Sequence, residues 1–213
     1  MVLYLVLAMN VGAVVLAAEK SARKGQNKQF LKLNGMTIIE NILGALSVAG
    51  VNEQVVVLGG ELAQVMKVLK PRLGKIKIAL NVTPELGMAS ALQTGLIVLS
   101  NVDAVFLVPG DQPILNPEFL KTMIGKLELN PDVLIVSPVH MGKKGHLLLF
   151  RRQLFDEIMN LEPEQTIHDV VNVHSDKILT IEAPQWTTMN VDNPEDYKRL
   201  KELLKTDIKM LKC

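Results

Sequence analysis

The chain has 213 residues, of which 48% are hydrophobic and 21% are charged, and its formal net charge is +1. This length and apolar content predict a globular domain with a sizeable buried core. A net charge close to zero excludes a global field that would attract nucleic acid or an acidic membrane, so any anion site has to be local. Aromatic residues make up only 4% of the chain, which argues against a base-stacking nucleic-acid surface.

The only cysteine is Cys213, so neither an intrachain disulfide nor a cysteine-rich metal site is expected, and a reducing cytoplasm is the simplest setting. The first 18 residues, MVLYLVLAMNVGAVVLAA, are nearly apolar and leave a signal peptide or membrane anchor open as an alternative. Because they lack a basic segment and contain Asn10 and Gly12, we favour a protein that does not enter a membrane. We expect a single domain over residues 9–213, with residues 1–8 as an N-terminal extension.

Short apolar runs alternate with stretches of helical spacing along the chain, which predicts parallel strands joined by crossover helices. The predicted strands are Val11–Ala17, Gln54–Leu58, Lys75–Leu80, Ala104–Val108, Val133–Val136 and Lys177–Ile181. The predicted helices are Thr37–Ala49, Glu61–Leu69, Ala89–Leu99, Glu118–Leu127, Arg152–Asn160, Thr166–Val173 and Glu195–Leu204. The expected fold is a three-layer α/β/α sandwich, Rossmann-like, with a mainly parallel sheet of about six or seven strands; ligands bind such folds beyond the carboxyl ends of the strands.

A cationic loop follows the first predicted strand and contains Lys20, Arg23, Lys24 and Lys28. An arginine can bind phosphate with a two-pronged fork and a lysine with a point charge, while Gly25 lets the backbone approach closely. The loop therefore suits a phosphorylated ligand, although a solvated basic loop would have the same composition.

The next segment with site-like residues is Asn81–Leu96, in which Gly87 and Gly95 allow a close backbone approach. Ser90 either caps the helix that follows or lies in a site.

Two aspartates follow later predicted strands. Asp111 comes after the strand in VFLVPGDQP, and Asp192 comes after the strand-like start of TTMNVDNPEDYKRL. Carboxylates from separate strand ends can share one Mg²⁺ on the phosphates of a nucleotide. The alternative is that each aspartate has only a role in its turn.

Between these aspartates, the segment Pro138–Phe150 is interpreted as a glycine-flexed basic loop with His140 and His146. Neither histidine has a partner at metal-ligand spacing, which argues against zinc. His168 and His174 have the spacing of ordinary helix-surface residues.

Taken together and in this order, the motifs resemble the molybdenum cofactor cytidylyltransferases and the wider nucleotidyltransferase superfamily of glycosyltransferase-A-like fold. The opening pattern of that family, Leu-Ala-Ala-Gly-x-Ser-x-Arg-Met-Gly-x-x-Lys, is matched by Leu16, Ala17, Ala18, Ser21, Arg23, Gly25 and Lys28. Four later patterns are matched by Asn81, Gly87, Met88 and Ser90; by Asp111, Gln112 and Pro113; by Gly142, Gly145 and His146; and by Asp192, Pro194, Glu195 and Asp196. The resemblance covers nearly the whole chain from Met9.

The resemblance implies an Mg²⁺-dependent transfer of a nucleoside monophosphate, CMP in the first instance, from its triphosphate to a phosphorylated acceptor such as molybdopterin. Pyrophosphate is released. The resemblance implies that Arg23, Lys28 and Asp111 are catalytic and that Asp111 and Asp192 bind Mg²⁺. It also implies two sets of contact residues. The nucleotide would be contacted by Leu16, Ala17, Ala18, Ser21, Gly25, Asn81, Gly87 and Ser90. The acceptor would be contacted by Gly142, Gly145 and His146.

Two alternatives stay open beside CMP transfer to molybdopterin. One is transfer to another acceptor or of another nucleotide, such as GMP to molybdopterin or a nucleotide to a sugar phosphate. The other is a nucleotide-binding regulator without turnover. The sequence also leaves monomer and homodimer open.

The chain departs from the family pattern at three positions, with Glu19 for glycine, Lys24 for methionine and Leu147 for proline. A glutamate about 4 Å from a phosphate charge, at an effective dielectric constant of about 20, would be repelled by about 4 kcal/mol. Glu19 is therefore expected to point away, to pair with Lys20 or Lys24, to help bind a metal, or to weaken the site.

Overall fold

The computed structural model describes residues 9–17, 30–33, 35–59, 62–72, 74–189, 191 and 194–206. The strands are β1 Val11–Ala17, β2 Lys32–Leu33, β3 Met36–Thr37, β4 Glu53–Leu58, β5 Lys77–Leu80, β6 Ala104–Pro109, β7 Ile135–His140, β8 Lys143–Lys144, β9 Leu148–Arg151 and β10 Ile178–Glu182. The helices are α1 Ile38–Val48, α2 Leu62–Leu69, α3 Gly87–Val98, α4 Pro117–Glu128, α5 Phe155–Met159, α6 Ile167–Val173 and α7 Pro194–Thr206.

The predicted α/β sandwich is confirmed. Within the described part of the chain, eight strands form the main sheet, and separate apolar clusters cover its two faces. One cluster includes the buried residues of α1 and α4, and the other includes those of α3, α5 and α6. The six strands and seven helices predicted with bounds all have a counterpart. The helix predicted at Arg152–Asn160 begins as a 3₁₀ turn and is α-helical only over α5. The strand-like segment expected before Asp192 is instead a 3₁₀ turn over Gln185–Thr188.

The order of strands in the main sheet is β10-β7-β9-β6-β1-β4-β5, with β8 paired to β7. Strand β1 lies between β4 and β6 and is parallel to both. The chain moves outward from β1 to β4 and β5 and then crosses to β6 on the other side of β1. The strand order therefore reverses at β1, and in open α/β sheets the crevice at such a reversal is where ligands bind.

The antiparallel strand β9 was missed in the sequence, as were the short strands β2, β3 and β8. Strand β9 is inserted between β6 and β7 and is antiparallel to both. Its residues follow a tight β7–β8 turn, so the segment interpreted as a loop over Pro138–Phe150 is mainly a β-hairpin. Strand β9 was missed because residues 147–150, three leucines and a phenylalanine, have no alternation of apolar and polar residues that would identify a strand.

Glycines at the start and the middle of α3 act differently from each other. A Cβ on Gly95 would lie 2.5 Å from both γ-carbons of Val14, so the close approach expected at Gly95 is made to the strand β1. Gly87 has open space around the corresponding position but adopts a φ of +73°, which is costly for other residues. Glycine is therefore favoured at position 87 by the backbone conformation of the turn into α3, and not by a close contact.

No helix in the described ranges has the length and apolar character needed to cross a bilayer. The predicted cap at Asn116 is confirmed, because its Oδ1 accepts from the backbone N–H groups of Glu118 at 2.9 Å and Phe119 at 3.1 Å.

An ion pair at the amino edge of the sheet joins β4, β5 and the end of α3. Lys77 Nζ donates to Glu53 Oε2 at 2.8 Å, to Ser100 Oγ at 2.9 Å and to the carbonyl oxygen of Val98 at 3.0 Å. The same Glu53 oxygen accepts from the Ser100 N–H. The hydrogen bond from Lys77 is the largest cause that lowers the pKa of Glu53 below its ordinary value of 4.5.

We expect Glu53→Gln to lower the free energy of unfolding by about 1 kcal/mol at pH 7, because it removes a charge-assisted bond that is partly exposed. A lowered pKa in the folded state gives stability that is present above pH 4.5 and is lost as the pH falls further. Urea unfolding at pH 7 and pH 4 should therefore show a smaller difference between wild type and variant at the lower pH. Glu118→Gln, which removes an exposed pair with Lys121, is the control and should change stability little; equal losses in both variants would contradict the prediction.

Candidate active site

The ends of four parallel strands are level with one another. Ala17 at the end of β1 is paired with Leu58 at the end of β4, and Leu58 with Leu80 at the end of β5. Leu16 is paired with Pro109 at the end of β6. The residues that follow these strands therefore emerge together at one edge of the sheet, with the ends of β1 and β6 beside the reversal point.

Gly110 brings the ends of β1 and β6 unusually close together. Its N–H donates to the carbonyl oxygen of Leu16 at 2.9 Å, and a Cβ at this position would lie only 2.2 Å from that oxygen. Gly110 is buried, and the next residue, Asp111, lies half-buried at the mouth of the crevice. Asp111 therefore follows directly on the point where the ends of β1 and β6 meet.

Asn81 and Ser90 lie in one hydrogen-bonded cluster, which is buried. Asn81 Nδ2 donates to Ser90 Oγ at 2.9 Å, and Asn81 Oδ1 accepts from the Thr83 N–H at 3.1 Å. The Ser90 hydroxyl can donate to the carbonyl oxygen of Thr83 or of Gly87, each at 3.0 Å. The two side chains predicted to contact nucleotide therefore hold the shape of the loop between β5 and α3.

Ser90 is not the N-cap of α3, so that alternative is wrong. The helix begins at Gly87, two residues earlier than predicted, and its N-cap Leu86 makes no side-chain cap. The first turn of α3 thus presents backbone N–H groups without a side-chain cap next to Asn81. Such a helix start has a partial positive charge and suits an anion.

The hairpin of β7 and β8 turns through only two residues, Met141 with φ +48° and Gly142 with φ +80°. Positive φ at both positions is the mark of a type I′ turn, so Gly142 has a conformational role there. His140 pairs with Lys143 in this hairpin, whereas Val136 pairs with Leu149 further back. The register therefore shifts by two residues between the two ladders.

The extra residues form a bulge at Gly145–Leu147. Gly145 donates its N–H to the carbonyl oxygen of Pro138 at 2.8 Å, and a Cβ there would lie 2.9 Å from the Thr187 carbonyl oxygen. His146 is exposed, while Leu147, the residue that replaces the usual proline, is fully buried in the core. Bulges often redirect a side chain next to a site, and this one directs His146 outward at the carboxyl edge of the sheet.

The predicted site residues fall into three groups. The structure brings Leu16, Ala17 and Asp111 together at the crevice, Asn81, Gly87 and Ser90 at the start of α3, and Gly142, Gly145 and His146 at the hairpin. All three groups lie at the carboxyl edge. Ala18, Ser21, Arg23, Gly25, Lys28 and Asp192 lie outside the described residues, as do Glu19, Lys20 and Lys24.

Two features of this edge were not predicted from the sequence. Gly110 is one, and the Pro-Gly pair before an aspartate was the signal that could have identified it. The other is His140, whose ring is bonded to the backbone of the segment after β10. Nothing in the local sequence signals that contact, because its partner is Ala183.

The described residues contain no group of three or more acidic, histidine or cysteine side chains able to hold a metal. Mg²⁺, however, is commonly held by one or two carboxylates together with substrate phosphates rather than by a complete protein cage. A single carboxylate at the crevice, as Asp111 provides, fits that manner of binding.

The three-layer α/β sandwich places Asp111 at the reversal point of the sheet, where folds of this type bind ligands. The chain belongs to the MobA-like NTP transferase domain family, whose model matches residues 13–178.

Relatives and solved structures agree with this assignment. The chain is 28% identical over 207 residues to a protein of Pyrococcus furiosus named probable molybdenum cofactor guanylyltransferase, covering 92% of this chain and 99% of the relative. A protein of the same name from Natranaerobius thermophilus is 24% identical over 211 residues, covering 92% and 97%. The crystal structure of Rv0371c from Mycobacterium tuberculosis H37Rv is similar with a TM-score of 0.75 and 25% identity, covering 92% of this chain and all of that one; a manganese complex of Rv0371c gives 0.72 and 24%, covering 91% and 98%.

Proposed function

We propose that this protein transfers GMP from GTP to molybdopterin and releases pyrophosphate, with the help of a divalent cation. The family supports nucleotidyl transfer, and the relatives from Pyrococcus and Natranaerobius are named as guanylyltransferases. The alternative kept open in the sequence, GMP rather than CMP, is therefore better supported than cytidylyl transfer. The single observation that carries the proposal is the Gly110–Leu16 contact, which holds Asp111 at the reversal point of the sheet.

In this proposal, separate residues of the chain would bind the metal, the phosphates and the rest of the nucleotide. Asp111, with Asp192, would hold Mg²⁺ or Mn²⁺, and the Rv0371c protein has been crystallised with manganese. Such a cation supplies charge neutralisation on the triphosphate. Arg23 and Lys28 would bind the α-phosphate and the departing pyrophosphate, where charge increases in the transition state. Backbone around Leu16, Ala17, Ala18 and Gly25 would hold the nucleotide.

No general base is required in this scheme. The second pKa of a phosphate monoester is about 6, so the acceptor phosphate is already largely a dianion at neutral pH. One of its oxygens attacks the α-phosphorus, a new P–O bond forms, and the bond to the β-phosphate oxygen breaks. Catalysis then depends on holding the triphosphate and the acceptor phosphate in line and on neutralising their negative charge.

The test is pyrophosphate release from each of GTP, CTP, ATP and UTP with Mg²⁺ and molybdopterin. We expect release with GTP to be fastest. Fastest release with CTP would overturn the guanylyl assignment in favour of the cytidylyl one, and no release with any triphosphate would contradict transferase activity. A thermal-shift series with the same nucleotides should accompany it, since a ligand at about 100 times its Kd adds about 2.7 kcal/mol of stability.

A regulator without turnover is the second candidate, and the residue that favours it is Glu19 in place of the family glycine. It predicts nucleotide-dependent stabilisation without pyrophosphate release, and no gain of activity in Glu19→Gly. Release that rises in Glu19→Gly would instead identify an enzyme that the glutamate slows.

A further inference from the structure

The ring of His140 is held in one tautomer by the backbone of a neighbouring strand. His140 is the last residue of β7, and its Nδ1 lies 2.8 Å from the carbonyl oxygen of Ala183, just after β10. A carbonyl oxygen can only accept, so Nδ1 carries a proton and donates it. The other ring nitrogen, Nε2, is therefore the one available to a ligand.

Nε2 of His140 has no hydrogen-bond partner among the residues that the structure describes. The side chain is 25% exposed, so the ring is oriented by packing and still accessible. This combination differs from His174, whose Nε2 is bonded to Glu157 Oε2 at 2.7 Å.

The charged groups around His140 come from β8, β10 and the bulge. Lys143 is paired with His140 across the hairpin, and Lys144 follows it; both are exposed, as is His146. Glu182 Oε1 lies 3.9 Å from His140 Nδ1, on the side of the ring that faces Ala183. The lysines outnumber the one carboxylate, so the hairpin offers a local positive charge to an anion.

His140 and Asp111 lie at the same edge of the sheet, with β8 and the bulge on the side of β7 that faces β6. Strands β7 and β6 run in the same direction with β9 between them, so their carboxyl ends lie at one edge about 10 Å apart. A nucleotide held at Asp111 and a second phosphorylated molecule held at the hairpin would therefore lie at the same edge of the sheet.

We propose that His140 binds a phosphate group of the acceptor through Nε2, assisted by Lys143. That the phosphate belongs to an acceptor rests on the proposed function; phosphate binding at the hairpin does not. The hydrogen bond between Nε2 and a phosphate oxygen needs one proton, supplied either by an imidazolium ring or by a monoanionic phosphate, while Nδ1–H stays bonded to Ala183. His140 is thus a substrate-binding residue on the acceptor side.

Nuclear magnetic resonance of the full chain tests the binding step without any turnover. Histidine ring ¹⁵N spectra should first show protonation at Nδ1 of His140. Titration with inorganic phosphate and with glycerol 3-phosphate should then shift His140 Nε2 and leave His174 Nε2 unchanged. No shift at His140, or equal shifts at both histidines, would overturn the proposal.

Two substitutions separate binding from structure. His140→Asn keeps an amide donor near the Nδ1 position for Ala183 but has no group at Nε2, so the KM for the acceptor should rise about tenfold with kcat and the KM for nucleotide nearly unchanged. His140→Gln places its amide near the Nε2 position and should recover part of the loss. His174→Gln is the matched control and should leave all three constants unchanged.

The outcomes distinguish this inference from the proposed function. If no nucleotide–acceptor pair releases pyrophosphate but phosphate shifts His140, transferase activity fails and the phosphate site stands. If transfer occurs and His140→Asn has the wild-type acceptor KM, the inference about His140 fails alone.

Discussion

Replacing Asp111 by Asn is expected to lower kcat for nucleotidyl transfer by about a thousandfold or more while leaving the fold intact. The substitution keeps the size of the side chain but removes the negative charge that would hold the divalent cation at the crevice. Loss of about 4 kcal/mol of transition-state stabilisation corresponds to that factor. The rate of pyrophosphate release at saturating substrates measures kcat. Electron paramagnetic resonance of Mn²⁺ in the presence of nucleotide measures metal binding.

Asp103→Asn is the matched control for this prediction. Asp103 precedes the opposite end of the same strand, β6, where its Oδ2 accepts from the Asn10 N–H at 2.8 Å. The same chemical change at the amino edge should leave kcat and Mn²⁺ binding unchanged. Wild-type turnover in Asp111→Asn, or an equal loss in both variants, would remove Asp111 from the catalytic role.

Gly110→Ala is expected to cost about 3 kcal/mol of folding free energy and to lower activity about a hundredfold in the protein that remains folded. The new Cβ would lie 2.2 Å from the carbonyl oxygen of Leu16 and 3.0 Å from its carbonyl carbon. Both are backbone atoms within the sheet, so no side chain can rotate away, and overpacking of this kind costs about 1–3 kcal/mol or more. Relief requires the ends of β1 and β6 to separate, which displaces Asp111, and a shift of about 1 Å can cost a hundredfold in rate.

Gly125→Ala provides the comparison, because Gly125 lies inside α4 and no atom is within 4 Å of the position that a Cβ would take there. In that open position alanine should stabilise the helix by about 0.5–1 kcal/mol, because glycine is the poorer helix former. Urea unfolding and pyrophosphate release should be measured on both variants. Equal stability of Gly110→Ala and wild type would contradict the close approach of β1 and β6.

The two substitutions test different parts of the same arrangement. Asp111→Asn changes charge at a fixed position, and Gly110→Ala changes position at a fixed charge. Loss of metal binding in the first and loss of stability in the second is the pattern that the crevice predicts.

Much of the fold could be predicted from the sequence because its elements have local signatures. Val11–Ala17 is a continuous apolar run typical of a strand buried on both faces, and it is β1 with the same bounds. The Asn116-Pro117-Glu118 start of α4 could be recognised because capping depends on neighbours within one turn. The order of the motifs along the chain was enough to indicate a nucleotidyltransferase, but it pointed to the cytidylyltransferases, whereas the named relatives are guanylyltransferases.

The candidate site could be predicted only in part, because some of its contacts have no local signature in the sequence. Asp111 could be selected by its type and its position after a strand, whereas Asn81 was selected through the resemblance. Nothing local distinguishes a cap from a buried cluster, and Ser90 belongs to the cluster. The Gly110 contact joins residues that are far apart in the chain, so it depends on which strands become neighbours.

The sequence by itself determined the class of fold, the places where most elements begin and end, and the residue types available at the carboxyl edge. Only the tertiary structure decided that β9 enters between β6 and β7, that the ends of β1 and β6 meet through Gly110, and that Ala183 orients the ring of His140. The physical reason is range: strand and helix periods are set by neighbours along the chain, whereas strand pairing, register and side-chain partners are set by contacts between distant segments.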